Sequence, residues 1–489
     1  MTAPLTVPQK PMTTVPAPKK PGRLWRRPDR TSMATRSMLV GSVVLGLLAA
    51  TILDIGVVGA AYLIVGVGVL AVVGILTPPR LTAVQWAACV GALALLGVAA
   101  IRGAGWLAFV CIVAAWVVFT WVLVGGRTWT GIVVGPVMPW RAALRVVGFV
   151  RRRKLRVGTS PRVPTMRVVA VTAVSVTLLL IFGSLFVSAD PEFAKIFGDA
   201  PAVRVDEPIA RLVIGALVAF VTLSAVYLRR RTPSVDALAP KPAVPLSLWE
   251  WAVPLAVLNI LFLGFVAVQL KTLFGGDKHV QVTDGLTYAN YARQGFWQLM
   301  AVTVLTLVVI AVAVRRVDRG DRRSRNLARG LLGALCAFSL VIVASAVHRM
   351  WLYENQYGFT RLRVSVFATE LLLGVVFILL IAAGVRMSGK WLPIGVLATA
   401  AVGLLAFAVF NPDAYIAEKN VQRFENGKTI DTFYLRTLSA DAVPALDRLT
   451  EPQRSDALMY LKQELLGSED SWWEFNSSRE RAREILGSN

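Results

Sequence analysis

Residues 296–347 read FWQLMAVTVLTLVVIAVAVRRVDRGDRRSRNLARGLLGALCAFSLVIVASAV. An apolar run (296–314) is followed by seven arginines between Arg315 and Arg329, and then by a second apolar run (331–347). About 20 apolar residues cross a hydrocarbon layer roughly 30 Å thick. Arginine at the centre of such a layer costs about 2.5–3.5 kcal/mol. The arginine cluster is therefore a loop, and the runs beside it are spans. Each span is helical by necessity, because backbone polar groups in lipid must pair within their own segment.

Working outward from this stretch, the same alternation recurs along the chain. Predicted spans lie at 38–53, 55–76, 82–101, 104–124, 168–188, 209–228, 249–270, 296–314, 331–347, 367–385 and 391–410. The fold class expected is all-α, a polytopic bundle of eleven spans. Composition agrees: of 489 residues 56% are hydrophobic and 17% charged, against about 25% charged in soluble domains. The net charge of +23 does not indicate nucleic acid, because the basic residues sit in short blocks between apolar runs. That distribution suits anionic lipid headgroups and the positive-inside bias. Cys89, Cys111 and Cys336 fall inside apolar runs, which argues against a disulfide framework. His279 and His348 are the only histidines, which excludes a His-rich metal site.

Lys and Arg assign the orientation. One set of connections carries 32 of them and the opposite short connections carry 10. The richer set belongs in the cytoplasm, which puts the N-terminus inside and the C-terminal tail outside. The Pro- and Lys-rich segment 1–36 reads as a disordered cytoplasmic tail. Residues 37–410 form the transmembrane domain. Within it, residues 129–156 read as a cytoplasmic interfacial helix, because Pro136, Pro139, Arg141 and Arg145 interrupt the apolar run at 129–150. Trp140, Leu144 and Val147 would then face lipid. Residues 411–489, with fourteen acidic and ten basic side chains, are too polar for lipid and read as an extracytoplasmic helical module. Asn411-Pro412 supplies a helix start, Thr450/Gln453 and Ser477/Glu480 fit capping boxes, and Leu458, Leu461 and Leu465 form an apolar stripe.

No nucleotide, nucleophile-elbow or metal motif is present, so no catalytic residue, metal or cofactor is expected. Two groups of residues carry the remaining interest. On the outer face, Asp190, Tyr288, Tyr291, Arg293, Tyr357, Arg361 and Arg363 could line a pocket in which arginine forks bind an anion among aromatic rings. An amphipathic helix on the outer leaflet is the plainer reading of residues 285–296. Within the spans, Asn259, Gln269 and Glu370 are polar. They suit interhelical hydrogen bonds or, for Glu370, a helix-start carboxylate or a relay able to pair with Arg361 or Arg363.

The stretches SADPEFA (188–194), GLTYANYARQGF (285–296), YGFTRLR (357–363), NPDAYIAEKN (411–420) and YLRTLSADAVPAL (434–446) resemble the bacterial membrane family called domain of unknown function 4173, over roughly residues 170–450. The resemblance implies a bacterial plasma-membrane protein and brings no established activity. The expected function is a non-enzymatic envelope component that senses, scaffolds or binds through its outer loops and tail. Its expected partners are the anionic bilayer surface and an envelope protein or small ligand on the outer face. A secondary transporter is the alternative. A membrane transferase using Asp190, Glu192, Asp206 or Glu207 is the third reading.

Overall fold

The computed structural model describes residues 36–54, 56–77, 81–142, 145–146, 206–240, 243–274, 296–318, 320–386, 388–467 and 470–487. Among these the fold is all-helical, with no strand. The apolar helices are α1 (Arg36–Ile52), α2 (Ala61–Leu76), α3 (Ala83–Ile101), α4 (Gly105–Val124), α6 (Asp206–Arg230), α7 (Leu248–Phe274), α8 (Phe296–Arg316), α9 (Arg322–Tyr357), α10 (Arg361–Arg386) and α11 (Leu392–Phe410). The short α5 (Trp129–Val134) follows α4. Eight of these helices are long and apolar enough to cross a membrane, whereas α1 and α2 are apolar but shorter. The span predicted at 168–188 lies outside the described residues.

Small residues set the closest helix contact. A Cβ on Gly46 of α1 would stand 2.5 Å from the carbonyl oxygen of Gly215 in α6, and one on Gly215 would meet Ala50 at 2.8 Å. Gly46/Ala50 and Gly215/Ala219 thus form two four-residue steps of small side chains. These let the backbones touch where lipid supplies no hydrophobic drive between helices. Gly66 serves α2 in the same way, since a Cβ there would lie 2.3 Å from Leu96. In the second half of the chain, α7, α8, α9 and α10 share one core that includes Leu255, Leu335, Ile342 and Phe377. Helix α11 joins the halves, with Ala408 packed among Leu95, Leu107 and Cys111 of α3 and α4.

Two elements differ from their sequence reading. Helix α9 runs 36 residues, or ~54 Å at 1.5 Å per residue, well past both ends of the predicted 331–347. The segment from Trp129 is broken rather than one helix: α5 is capped by Thr128, and a 3-10 turn at Gly135–Val137 carrying Pro136 follows. Met138, Ala142 and Val146 pack into the bundle beside Leu123 and Val226, while Trp140 stays half exposed. Leu144 and Val147 lie outside the residues whose side chains are described.

After α11 come α12 (Pro412–Glu425), α13 (Thr432–Leu435), α14 (Val443–Leu446), α15 (Gln453–Leu466) and α16 (Ser477–Gly487). They enclose their own core of Ile416, Val421, Leu446, Leu458, Leu461 and Leu465. Asn411 caps α12 through Ala414 N. The box at Thr450/Gln453 does not form, because α15 starts behind Pro452 with no side-chain cap. At α16 the cap is Asn476, which accepts from Ser478 N and Arg479 N.

Candidate functional site

The tail module sits on one end of the helices. It meets the α1–α2 loop where Ala60 N donates to Phe475 O and Arg479 Nη1 to Val58 O. At the end of α3 the Asn476 amide donates to the carbonyls of Ala99 (2.9 Å) and Arg102 (2.8 Å). Asn476 is 1% exposed, so its amide is sealed in this junction. At the α9–α10 turn, Phe359 N donates to Asn420 Oδ1 and Asn420 Nδ2 returns a bond to Phe359 O. Gly358 makes that turn possible: its φ is 85°, and a Cβ there would stand 2.7 Å from Asn420 Oδ1.

Two buried carboxylates hold this junction. Asp413 is 0% exposed. It accepts Arg361 Nε (2.8 Å), a second bond from Arg361 Nη2, Trp106 Nε1 (3.3 Å) and Ser439 N (3.0 Å). Asp441, 5% exposed, accepts Gly103 N (2.7 Å), Ala104 N (3.1 Å), Asn411 Nδ2 (3.1 Å), Ser439 Oγ (3.0 Å) and Ser478 Oγ (2.6 Å). The amides of Gly103 and Ala104 precede the first turn of α4, whose dipole favours an anion there. A buried charge is tolerable only when such donors replace its water.

Between the module and the end of α11 lies a cavity of about 630 Å³, lined among others by Arg102, Phe410, Tyr415, Glu418, Arg448 and Arg481. Glu418 pairs with Arg448 at 2.9 Å, and hydrogen bonds from Arg448 hold its carboxyl below the usual range. Farther round the module, Asp470 takes Arg479 (2.8 Å) and Arg483 (2.7 Å). Partial burial raises the Asp470 pKa, but the two guanidiniums outweigh it and leave the carboxyl below the ordinary aspartate value.

The structure distributes the sequence candidates unevenly. Asp190, Tyr288, Tyr291, Arg293 and Glu192 lie outside the described residues. Arg361 is committed to Asp413, and its backbone N–H donates to the Tyr434 hydroxyl. Arg363 donates to the carbonyls of Gly358 and Tyr357 and stands 4.3 Å from the centre of the Tyr353 ring. Both arginine forks are therefore taken up by the protein itself. Tyr357 is half exposed and packs on Tyr353, with ring centres 5.0 Å apart. Asn259 Nδ2 bonds across to Leu331 O of α9, and Gln269 Oε1 accepts from Ser345 and Arg349, so both link α7 to α9. Glu370 is 0% exposed, and neither carboxyl oxygen has a hydrogen-bond partner among the described residues. It is neither an exposed helix-start carboxylate nor the partner of Arg361 or Arg363. No cluster of three or more His, Cys, Asp or Glu side chains placed to hold a metal ion occurs among the described residues.

Sequence reasoning missed Asp413, Asp441, Asn476, Arg102 and Arg481. The first two stand inside NPDAYIAEKN and YLRTLSADAVPAL, but no local pattern there marks their partners.

A family model described as domain of unknown function (DUF4153) matches residues 90–449. This is a domain of unknown function other than family 4173, and the match begins inside α3, well before residue 170. It takes in α4 to α14 and both buried carboxylates, and stops short of Asn476. No curated protein and no solved structure matches the chain.

Proposed function

The chain belongs to the DUF4153 family, and on that premise we propose that this integral membrane protein is a non-enzymatic binding component of a bacterial envelope. It acts at the face that carries the tail module. The carrying observation is the double carboxylate clamp. Asp413 and Asp441 fix the module rigidly on the α3–α4 and α9–α10 ends and so keep an arginine-bearing cavity open beside it. A site held by buried charge-assisted bonds is preorganised, which lowers the ordering cost of binding.

The proposed topology has eleven spans in the plasma membrane, the N-terminus inside and the module outside. Its support is the segregation of charge. Arg230, Arg315, Arg316, Arg322, Arg323, Arg329, Arg386 and Lys390 are exposed and gather at the end opposite the module, as the cytoplasmic leaflet requires. Reporter fusions test it. An alkaline phosphatase fused after Asn489 should be active and a fluorescent protein there dark; the reverse pattern overturns the reading. The exposed Trp140 beside Arg141 and Arg145 supports an interfacial cytoplasmic segment after α4.

One observation favours secondary transport as a second reading. Glu370 places an unpartnered carboxyl within a span, where ionisable groups commonly serve ion or proton movement. Proton-coupled flux by the purified protein in vesicles, abolished in Glu370→Gln, would move the assignment to transport.

A further inference from the structure

The cavity beside the module has one guanidinium with nothing to do. Arg481, on the second turn of α16, is exposed and forms no hydrogen bond or ion pair among the described residues. Across the cavity Arg102 gives Nε and Nη2 to the carbonyls of Ala408 (2.8 Å) and Val409 (2.9 Å). Its Nη1 stands 3.9 Å from Asp441, beyond hydrogen-bond range, and keeps donors to spare. Both acids on the wall have their acceptor oxygens occupied by the protein. Asp441 is held by five donors, and Glu418 is held by Arg448 and Gln422. The surplus of donor groups therefore belongs to arginine.

The position of the cavity narrows the ligand further. Arg102 ends α3 and Phe410 ends α11, so the cavity lies where two apolar helices leave the bilayer. Directly on the membrane side the surface is apolar and exposed: Ile101 is 52%, Val409 77% and Phe410 48% accessible. Phe410 and Tyr415, with ring centres 4.7 Å apart, wall the cavity at the same level. Guanidiniums above and an open apolar strip below match a molecule with a phosphate head and a hydrocarbon body. Planar guanidinium forks suit phosphate oxygens, and the volume lies within the ~300–1,000 Å³ of ligand sites.

We propose that this cavity binds a phosphate group through Arg481 and Arg102, a lipid headgroup being the source that the apolar strip favours. The proposal rests on the reading of the module face as a binding face, and names its ligand class. The test uses the full chain in a neutral maltoside detergent, titrated with dihexanoyl phosphatidic acid, dihexanoyl phosphatidylcholine or inorganic phosphate by isothermal calorimetry. Phosphatidic acid should bind, and Arg481→Ala should weaken it about tenfold with the melting temperature unchanged, since Arg481 supports no internal contact. Arg481→Lys should recover part of the loss by restoring the charge. Arg329→Ala, at the opposite end, should bind like the parent. Weaker binding of inorganic phosphate than of phosphatidic acid assigns the site to lipid; equal binding, still lost in Arg481→Ala, keeps the phosphate site and assigns it to a soluble anion. Equal affinity of Arg481→Ala and the parent overturns the proposal. Phosphatidylcholine, whose single phosphate charge is offset by a choline cation, should bind more weakly than phosphatidic acid, and a loss in Arg329→Ala matching that in Arg481→Ala overturns the proposal. Detergent removes sidedness, so an inverted topology would defeat the envelope reading and leave this result unaffected.

Discussion

The two ends of the helix bundle use charge in opposite ways. At the end away from the module, arginines such as Arg315, Arg316 and Arg329 are exposed, and their value lies in the field they present to lipid headgroups. Some charge there is also used internally: Asp236 accepts from Arg127 N, Thr128 N and Thr128 Oγ1 to tie the α4 exit to the turn after α6, Arg230 donates to Leu76 O, and Asp321 caps α9. At the module end much of the charge is internal. Arg361, Arg363, Arg423 and Arg479 all donate to protein carbonyls or carboxylates, and Asp413 and Asp441 are sealed. The same side chain faces outward at one end and holds the molecule together at the other. Solvent screening makes exposed charges nearly irrelevant to stability, whereas a buried charge robbed of its partners is costly.

The largest expected effect follows from removing one sealed charge. Asp441→Asn keeps the shape but loses the anion facing the Gly103 and Ala104 amides. It should cost about 3–5 kcal/mol of module docking, read as faster tryptic cleavage at the exposed turn containing Lys428. If it melts and digests like the parent, the contrast between the ends collapses. The two turn glycines give a matched pair. Gly358→Ala meets both a positive φ and the Asn420 amide at 2.7 Å and should cost about 1–3 kcal/mol. Gly389→Ala, in the α10–α11 turn, meets nothing within 4 Å and should shift stability by less than about 0.5 kcal/mol. Equal melting shifts for the pair would blunt the comparison.

Asp470→Asn should cost about 1–2 kcal/mol, reduced from the fully buried case because the carboxylate is partly exposed. Its pH dependence has a definite sign. The folded pKa lies below the unfolded one, so the contribution is present above the ordinary aspartate value of 3.8 and fades as pH falls through the lower folded value. The gap in melting temperature between parent and variant should thus hold at about pH 5 and close only in stronger acid. The smallest effect belongs to the other end. Replacing Arg315 and Arg316 by Gln should leave thermal stability within about 0.5 kcal/mol.

The sequence made the hydrophobic helices legible because a bilayer filters composition harshly. It made little else so. Helix α9 outruns its apolar window at Arg322 and again at Tyr357: hydropathy marks where lipid contact stops, while backbone hydrogen bonding continues in water. The stripe Leu458, Leu461 and Leu465 is buried as its spacing suggests. The capping pattern at Ser477/Glu480 misled by one residue, since Asn476 offers the same oxygen one step earlier. Arg361 and Arg363 are cationic forks near aromatic rings, as read, but their carboxylate and carbonyl partners lie in a turn and a later helix that no local pattern specifies. Asp413 and Asp441 were invisible for the same reason. Their meaning comes from donors such as the Gly103 amide, 338 residues from Asp441.

The grip of Asn476 on the Ala99 carbonyl joins groups 377 residues apart. During synthesis the rim around α3 and α4 therefore enters the membrane long before its partner leaves the ribosome. A nascent chain halted before Asp441 already carries the sequence of every helix through α11 but has an unfinished crown, with the Gly103 and Ala104 amides and the Ala99, Ile101 and Arg102 carbonyls still awaiting their partners. Emergence of the segment that carries Asp441 and Asn476 is then the step that closes this rim.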